Sequence, residues 1–540
     1  MKYKFFALTL VGALAALGSG CDNKTAPGNP PPNAPAKAAA PKGGFVSVNK
    51  TSFNEVTAQL DPGGQFYMYL GTAQWLDGLS TRLGAYQQAV LALPDLPPDA
   101  VANVNKGFAI ASRLIKDSGL EDISGLGMSS IEIENGLYRN KALLHHYPGK
   151  GGGFLWQLLG AEPHPLTGLD LLPANTALAN FADVNVPLLW NVVKKEVAQA
   201  NVPQAQAWLD QLPVEFERST KVKWDDFLKS LGGEIGFVLT LDPSNNIPLP
   251  LPNVGAISLP TPGLMLAIKV NDEMMFNRID RELKANPQVS SMVFSKDQPG
   301  VKMRTMNLPI PFLPVRPTAA STGGYLLIAS TDDLINEALA VKAGQKPGLK
   351  ATEEFKRLSQ NVPDRGNNFT FLSRRFTETL MQVQQQFVAA AGSRQNPKMG
   401  EWLQTLPKGK PAFGYTVGAN TPEGNLVIGN SSQSQATALL LPAAAVSVAA
   451  VSAMSAIAIP NFVKARTVAQ ENACINNLRQ LDSAKQQWAL ENKKPANAVP
   501  TKADLMPYLS RWPVCPQGGT YTIGSMTEPP SCNIHGHEEP

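Results

Sequence analysis

Apolar positions along this chain follow two rhythms in turn. From Phe45 to about Ser434, short runs with every second residue apolar give way, after a small polar residue, to runs spaced i, i+3, i+4. The first spacing predicts half-buried strands and the second amphipathic helices. Five segments carry the change: "FYMYLGTAQWLDGLSTRLGAYQQAV" from Phe66, "TALANFADVNVPLLWNVVKKEVAQA" from Thr176, "GLMLAIKVNDEMMFNRIDRELKAN" from Gly263, "GYLLIASTDDLINEALAVKAG" from Gly324 and "NFTFLSRRFTETLMQVQQQFVAAA" from Asn368. Asn271, Asp272, Thr331 and Asp332 stand where N-caps belong.

Two of these segments follow a Leu/Val-Pro turn. In addition, "GGEIGFVLTLDPSN" from Gly232 echoes "KPAFGYTVGANTPEGNLVIG" from Lys410. The pattern predicts an α+β body of two related strand–helix halves, residues 45–250 and 251–434. Between them "NNIPLPLPNVGAISLPTP" holds too many prolines for a helix or a central strand, and so reads as a divider. The entry "LPANTA" and the "GGE" before a strand loosely resemble envelope domains of unknown function, and that likeness implies no activity.

The chain opens differently. Cationic Met1–Lys4 precedes an apolar run from Phe5 to Leu17, then "GSGC" ends at Cys21. The run is too short to cross a bilayer and suits a signal peptide over residues 1–20. Small residues before a lone cysteine resemble a bacterial lipoprotein signal, which implies lipid on Cys21; Gly18 stands where that signal usually has an aliphatic residue. Residues 21–44, with almost no large apolar side chain, predict an extended Pro/Ala-rich tether.

The C-terminal pattern changes again. Ala436 to Ile459 carries no charge and is long enough to cross a hydrocarbon core, although it is rich in alanine. Leu439, Val446, Val451, Ile457 and Ile459, with Pro460 and Phe462 after them, form the candidate membrane or packing helix. Beyond Pro460, Val468, Ile475, Leu478, Leu481, Ala484 and Trp488 fall on one helical face, with Lys, Arg, Glu and Gln opposite. "PTKADLMPYL" announces a short helix with Thr501 as N-cap and Asp504 completing a capping box. "CPQGGTYTIGSMTEPPSCNIHGH" then reads as a hairpin turning at Gly518-Gly519.

Three features here, "IAIPNFVKAR", the amphipathic helix after it and the Cys-Pro-x-Gly-Gly-x-Tyr ending, resemble the type IV pilin and type II secretion pseudopilin family. The resemblance implies a long helix, apolar then amphipathic (435–495), carrying a small β head (496–540). It also implies partners among pilin or secretion-system subunits. The family's processing site and its early glutamate are missing: Ala438, Leu439 and Ala443 occupy those places. Cys515 and Cys532 read as a disulfide closing the head, worth about 3 kcal/mol, with Cys474 left over. A zinc site of Cys515, Cys532, His535 and His537 is the alternative, though its spacing is not that of a zinc knuckle. A disulfide needs an oxidising compartment, so the whole exported chain is expected to stay outside the cytoplasm.

Composition narrows the chemistry. The 540 residues carry a formal net charge of +4 without a dense Lys/Arg block, which argues against a nucleic-acid partner. The body has no cysteine and none of the common hydrolase, metalloprotease or nucleotide-binding motifs. "PGKGGGF" (148–154) lacks the second half of a phosphate loop and reads as a hairpin tip. His145 and His146 neighbour one another on a predicted strand and so face opposite ways. His164, between prolines, is a loop residue, and the acid pairs Asp225-Asp226 and Glu353-Glu354 mark helix starts. The expected protein is a non-enzymatic cell-envelope lipoprotein, membrane-anchored through Cys21, without cofactor or metal, whose pilin-like tail serves docking or assembly. An accessory minor pseudopilin, or an envelope enzyme in the middle region, are the other readings.

Overall fold

The computed structural model describes residues 51–93, 96–251, 255–285, 287–307, 315–392, 411–440, 474–509, 512–515 and 518–533. Cys21, Val446, Val451, Ile457, Ile459, Pro460, Phe462, His535 and His537 therefore lie outside the described residues, and of the Ala-rich segment only residues 436–440 are described, in the helix Gln435–Leu440 that holds Leu439.

Among the described residues the body is built on one thirteen-stranded antiparallel sheet. In chain order its strands, with one short side pair, are β1 (Phe66–Gly71), β2 (Ile123–Glu134), β3 (Leu137–His146), β4 (His164–Pro165), β5 (Thr176–Asp183), β6 (Leu231–Leu251) and β7 (Gly255–Val270). Then come β8 (Val293–Gln298), β9 (Val301–Met306), β10 (Thr318–Thr322), β11 (Tyr325–Ala329), β12 (Arg365–Gly366), β13 (Asn368–Leu372), β14 (Gly414–Thr421) and β15 (Gly424–Ser431). The order across the large sheet is β1-β2-β3-β15-β14-β13-β5-β6-β7-β11-β10-β9-β8, while β4 and β12 pair separately.

All five predicted strand–helix transitions are present. β5 leads into the helix Val186–Ala200, β7 into Met274–Ala285, β11 into Asp332–Lys342 and β13 into Arg374–Gly392, and β1 precedes Leu79–Leu91. Thr331 caps its helix by accepting from the Leu334 amide at 3.3 Å. Asp272 accepts from the Met274 amide at 2.9 Å.

The division at 250/251 is corrected by the topology. β13, β14 and β15 lie between β3 and β5, so strands of the later stretch are inserted among those of the earlier one, and β6 pairs with β7 across the expected boundary. The Pro-rich stretch is a β-ribbon. Asn246↔Pro260, Pro248↔Ser258 and Pro250↔Ala256 are alternate opposed pairs, and Ile247↔Leu259, Leu249↔Ile257 and Leu251↔Gly255 between them contain no proline. In an antiparallel ladder only every second pair exchanges N–H···O bonds. Prolines two apart thus share one phase of the ladder, and that phase can be the non-bonded set, where no N–H donor is needed.

The core lies on one face of the sheet. Phe181 and Phe369, directly opposed on β5 and β13, stack with ring centroids 5.0 Å apart and planes 12° apart. Gly168 and Gly236 make room for the Phe181 ring: a Cβ on either would fall 2.4 or 2.1 Å from it. Met265, Leu327, Ile335, Phe355, Phe371 and Val417 continue the same buried cluster.

Candidate functional site

Among the described residues two places gather chemistry-bearing side chains. The first is at the end of the body's core face. Along β5, Asp183 is in phase with Ala177, Ala179 and Phe181; along β6, Glu234 is in phase with Gly236 and Val238. Strand periodicity therefore places both carboxylates on the apolar face, and register sets them directly opposite each other. Both are buried, at 8% and 4% exposure. Opposed like charges in such a place are destabilising unless partnered.

The partners come from four segments. His164 Nε2 lies 2.9 and 3.0 Å from the two Asp183 oxygens. Asn367 Nδ2 donates to Asp183 Oδ2 at 3.1 Å and to the Glu162 carbonyl at 2.8 Å. Tyr325 donates its hydroxyl to Glu234 Oε1 at 2.5 Å and contacts Thr167 Oγ1 at 3.0 Å. Gly160, at φ +92°, passes so close that a Cβ would fall 2.3 Å from Asp183 Oδ2. Only glycine combines that conformation with that approach.

Both His164 ring nitrogens face oxygen acceptors, since Nδ1 lies 2.9 Å from the Pro165 carbonyl. Burial works against the imidazolium, but the hydrogen bonds to Asp183 and Pro165 and the Asp183 charge outweigh it and raise the pKa above its ordinary value. A raised folded pKa means that the native state holds the proton more tightly than the unfolded chain. The stabilisation is therefore fully present below about pH 6.5 and is lost as pH rises through the higher folded value. Urea midpoints of the native chain and of His164→Gln, taken from about pH 6 to pH 9, should differ most at the acid end and converge at the alkaline end. A pH-independent gap would refute the charge assignment.

His164, Asp183 and Glu234 offer one ligand atom each within 4.8 Å of one another. The Asp183 oxygens and Glu234 Oε1 already accept hydrogen bonds from protein donors, so the group acts as a clamp joining β4, β5, β6, β11 and the Asn367 turn. A cavity of about 400 Å³ lies beside it, lined by Pro165, Thr167, Asp170, Lys350, Asp364 and Tyr415 among others, but not by Asp183 or Glu234. Burial, with the Asp364 charge, pushes the Tyr415 hydroxyl pKa upward.

The other singled-out groups have structural partners. His145 Nδ1 meets Ser124 Oγ at 2.6 Å, and His146 packs edge-on against Trp156 at 4.5 Å. The "PGKGGGF" loop borders a cavity of about 540 Å³ with Lys116, Asp117 and Lys195. Its Gly151 amide donates to Asp122 at 3.0 Å, Lys150 sits 3.7 Å from the same carboxylate, and Lys195 pairs with Asp117. The Gly151 amide, Lys150 and Lys195 are thus engaged by carboxylates of the chain itself.

The second place is the C-terminal module. Residues 474–491 are helical, and Cys474, Leu478, Leu481, Lys485 and Trp488 are its buried seam at 4-3-4-3 spacing. Leu478, Leu481, Ala484 and Trp488 are buried as expected. Lys485 corrects the expectation for the polar face: it is fully buried, and its ammonium donates to the carbonyls of Ile523, Ser525 and Glu528 at 3.1, 2.8 and 2.5 Å. Its position in the seam was the available signal, overridden by its residue type.

The head contains the short pair β16 (Tyr521–Thr522) and β17 (Ser531–Cys532), and the Thr501/Asp504 capping box is formed. Cys515 and Cys532 sit together as expected, and Cys474 joins them where the reading from sequence had set it apart. All three are buried, beside Leu478 and Tyr521. Burial pushes the Cys474 thiol pKa up.

Among the described residues no helix is long and apolar enough to cross a membrane. Compared with models of protein families, with curated proteins and with solved structures, the chain matches none.

Proposed function

We propose that this chain is a non-enzymatic lipoprotein of the bacterial cell envelope, held to the membrane through Cys21 and carrying a pilin-like C-terminal module for docking or assembly. The packing of that module supports the reading most directly. The helix over residues 474–491 sets Leu478, Leu481, Ala484 and Trp488 into its buried side, and Ala484 and Trp488 cluster with Leu505 of the small head. A stalk with one face committed to a compact head suits a subunit that presents itself to other subunits. The body favours the non-enzymatic reading because its buried acid pair is engaged by His164, Asn367 and Tyr325.

Lipidation is the step to test first. Mass spectrometry of the peptide starting at Cys21 should find acyl chains, and Cys21→Ser should release the protein from the membrane fraction. An unmodified cysteine on a soluble chain would defeat the anchor. Co-purification with pilin-type subunits, lost when residues 436–540 are deleted, would identify the accessory-pseudopilin reading as the working one.

A further inference from the structure

Three sulfur atoms converge where the described part of the C-terminal helix begins. Cys474 comes from that helix, Cys515 from the loop ahead of the hairpin and Cys532 from β17, and their Sγ atoms lie within 4.8 Å of one another. Their exposures are 0%, 3% and 9%. A disulfide engages two sulfurs at about 2.05 Å and leaves the third beside it as an attacking group. Metal–thiolate bonds of about 2.3 Å in a tetrahedron instead set sulfurs about 3.8 Å apart, a spacing within the observed limit. Only the metal arrangement employs all three.

A second observation points the same way. The Tyr521 hydroxyl lies 3.4 Å from Cys474 Sγ and is oriented by Asn477 Nδ2 at 3.0 Å. Asn477 uses its amide also on the Val514 carbonyl at 3.0 Å, next to Cys515. A hydroxyl aimed at a sulfur and fixed from behind is the kind of outer-layer donor that steadies a coordinated thiolate.

We propose that Cys474, Cys515 and Cys532 form a three-thiolate site for a soft d10 cation, Zn²⁺ or Cu⁺, that fastens the helix to the head. Each coordinating thiol forms a metal–sulfur bond and gives its proton to solvent; no electrons are transferred. Cu⁺ is satisfied by three sulfurs, whereas Zn²⁺ takes one further donor. The inference rests on the sulfur geometry and not on where the chain resides, so it stands or falls separately from lipidation at Cys21.

The test uses the full-length chain, reduced, stripped with a chelator and titrated anaerobically with Zn²⁺ or Cu⁺ against a chromophoric competitor. One cation per chain is expected, with Co²⁺ giving thiolate-to-metal absorption. Bound metal should also protect the peptides containing Cys474, Cys515 and Cys532 from alkylation. Tyr521→Phe keeps the ring and should weaken binding about 10- to 100-fold; Cys474→Ser should abolish stoichiometric binding. The Tyr521→Phe result carries the test if the serine variant does not fold. Three outcomes would overturn the proposal: a folded, reduced chain that takes neither cation one-to-one, affinity unchanged in Tyr521→Phe, or protein isolated without reductant that carries a Cys515–Cys532 disulfide and no metal.

Discussion

A chain carrying Phe181→Ala should unfold about 3–5 kcal/mol more easily than the native chain, the cost of truncating a buried aromatic. The ring is 1% exposed and stacked on Phe369, and its flanks are backbone at Gly168 and Gly236. Glycine has no side chain to lean into the void, so the cavity would stay open, and cavity volume sets the size of the loss. Phe181 and Phe369 also hold the seam where the later strands join the earlier ones. Chemical denaturation followed by tryptophan fluorescence should show the lowered midpoint. A loss below about 1 kcal/mol would mean that neighbouring elements collapse into the space, contrary to the packing described.

Lys485→Met is expected to destabilise the C-terminal module by about 3 kcal/mol, because three carbonyls facing the fully buried lysine lose their donor together and hydrogen bonds to a charged group contribute about 1.5–3 kcal/mol each. Methionine keeps the length and apolar stem of lysine, so the loss reports the ammonium alone. Lys485→Arg should not rescue it, since a planar fork cannot point at Ile523, Ser525 and Glu528 as a tetrahedral ammonium does. Amide hydrogen exchange is the suitable measurement. Protection across residues 518–533 should fall in the methionine variant while strands β5 and β13 keep theirs. An unchanged exchange pattern would show the head to be held by Leu481, Trp488 and Leu505 without the lysine.

The elements themselves were legible. Periods of two and of 3.6 are local properties, and the caps at Thr331 and Thr501 are written within four residues of the helices they begin. The sheet order was not. The pairing of β3 with β15 depends on which apolar surfaces meet after collapse, and nothing within Leu137–His146 marks Gly424–Ser431 as its neighbour. The Pro-rich ribbon was misread because proline was counted rather than placed: its harm depends on ladder phase, and alternate spacing can avoid it.

The candidate sites divide along similar lines. Asp183 and Glu234 each stand in the apolar phase of a strand, a signal present in "TALANFAD" and "GGEIGFV" that residue-by-residue motif searching passed over. Cys515 and Cys532 were legible as neighbours, because a hairpin brings its two ends together. Cys474 was not, since its approach depends on how the helix docks. Lys485 shows the same limit: position in the seam and side-chain charge gave opposite answers, and only the facing carbonyls decide between them.

The interleaving of β13–β15 between β3 and β5 has a consequence for biogenesis. When β3 has been synthesised, the strand that will cover its edge is still about 280 residues away, on the order of 15–60 s at ordinary elongation rates. Throughout that interval the growing chain presents an incomplete ladder with open hydrogen-bonding groups, the kind of surface that recruits holdases and invites clumping. Burdened supply of such chaperones should therefore lower the yield of this polypeptide well before it affects compact proteins whose neighbouring strands are consecutive.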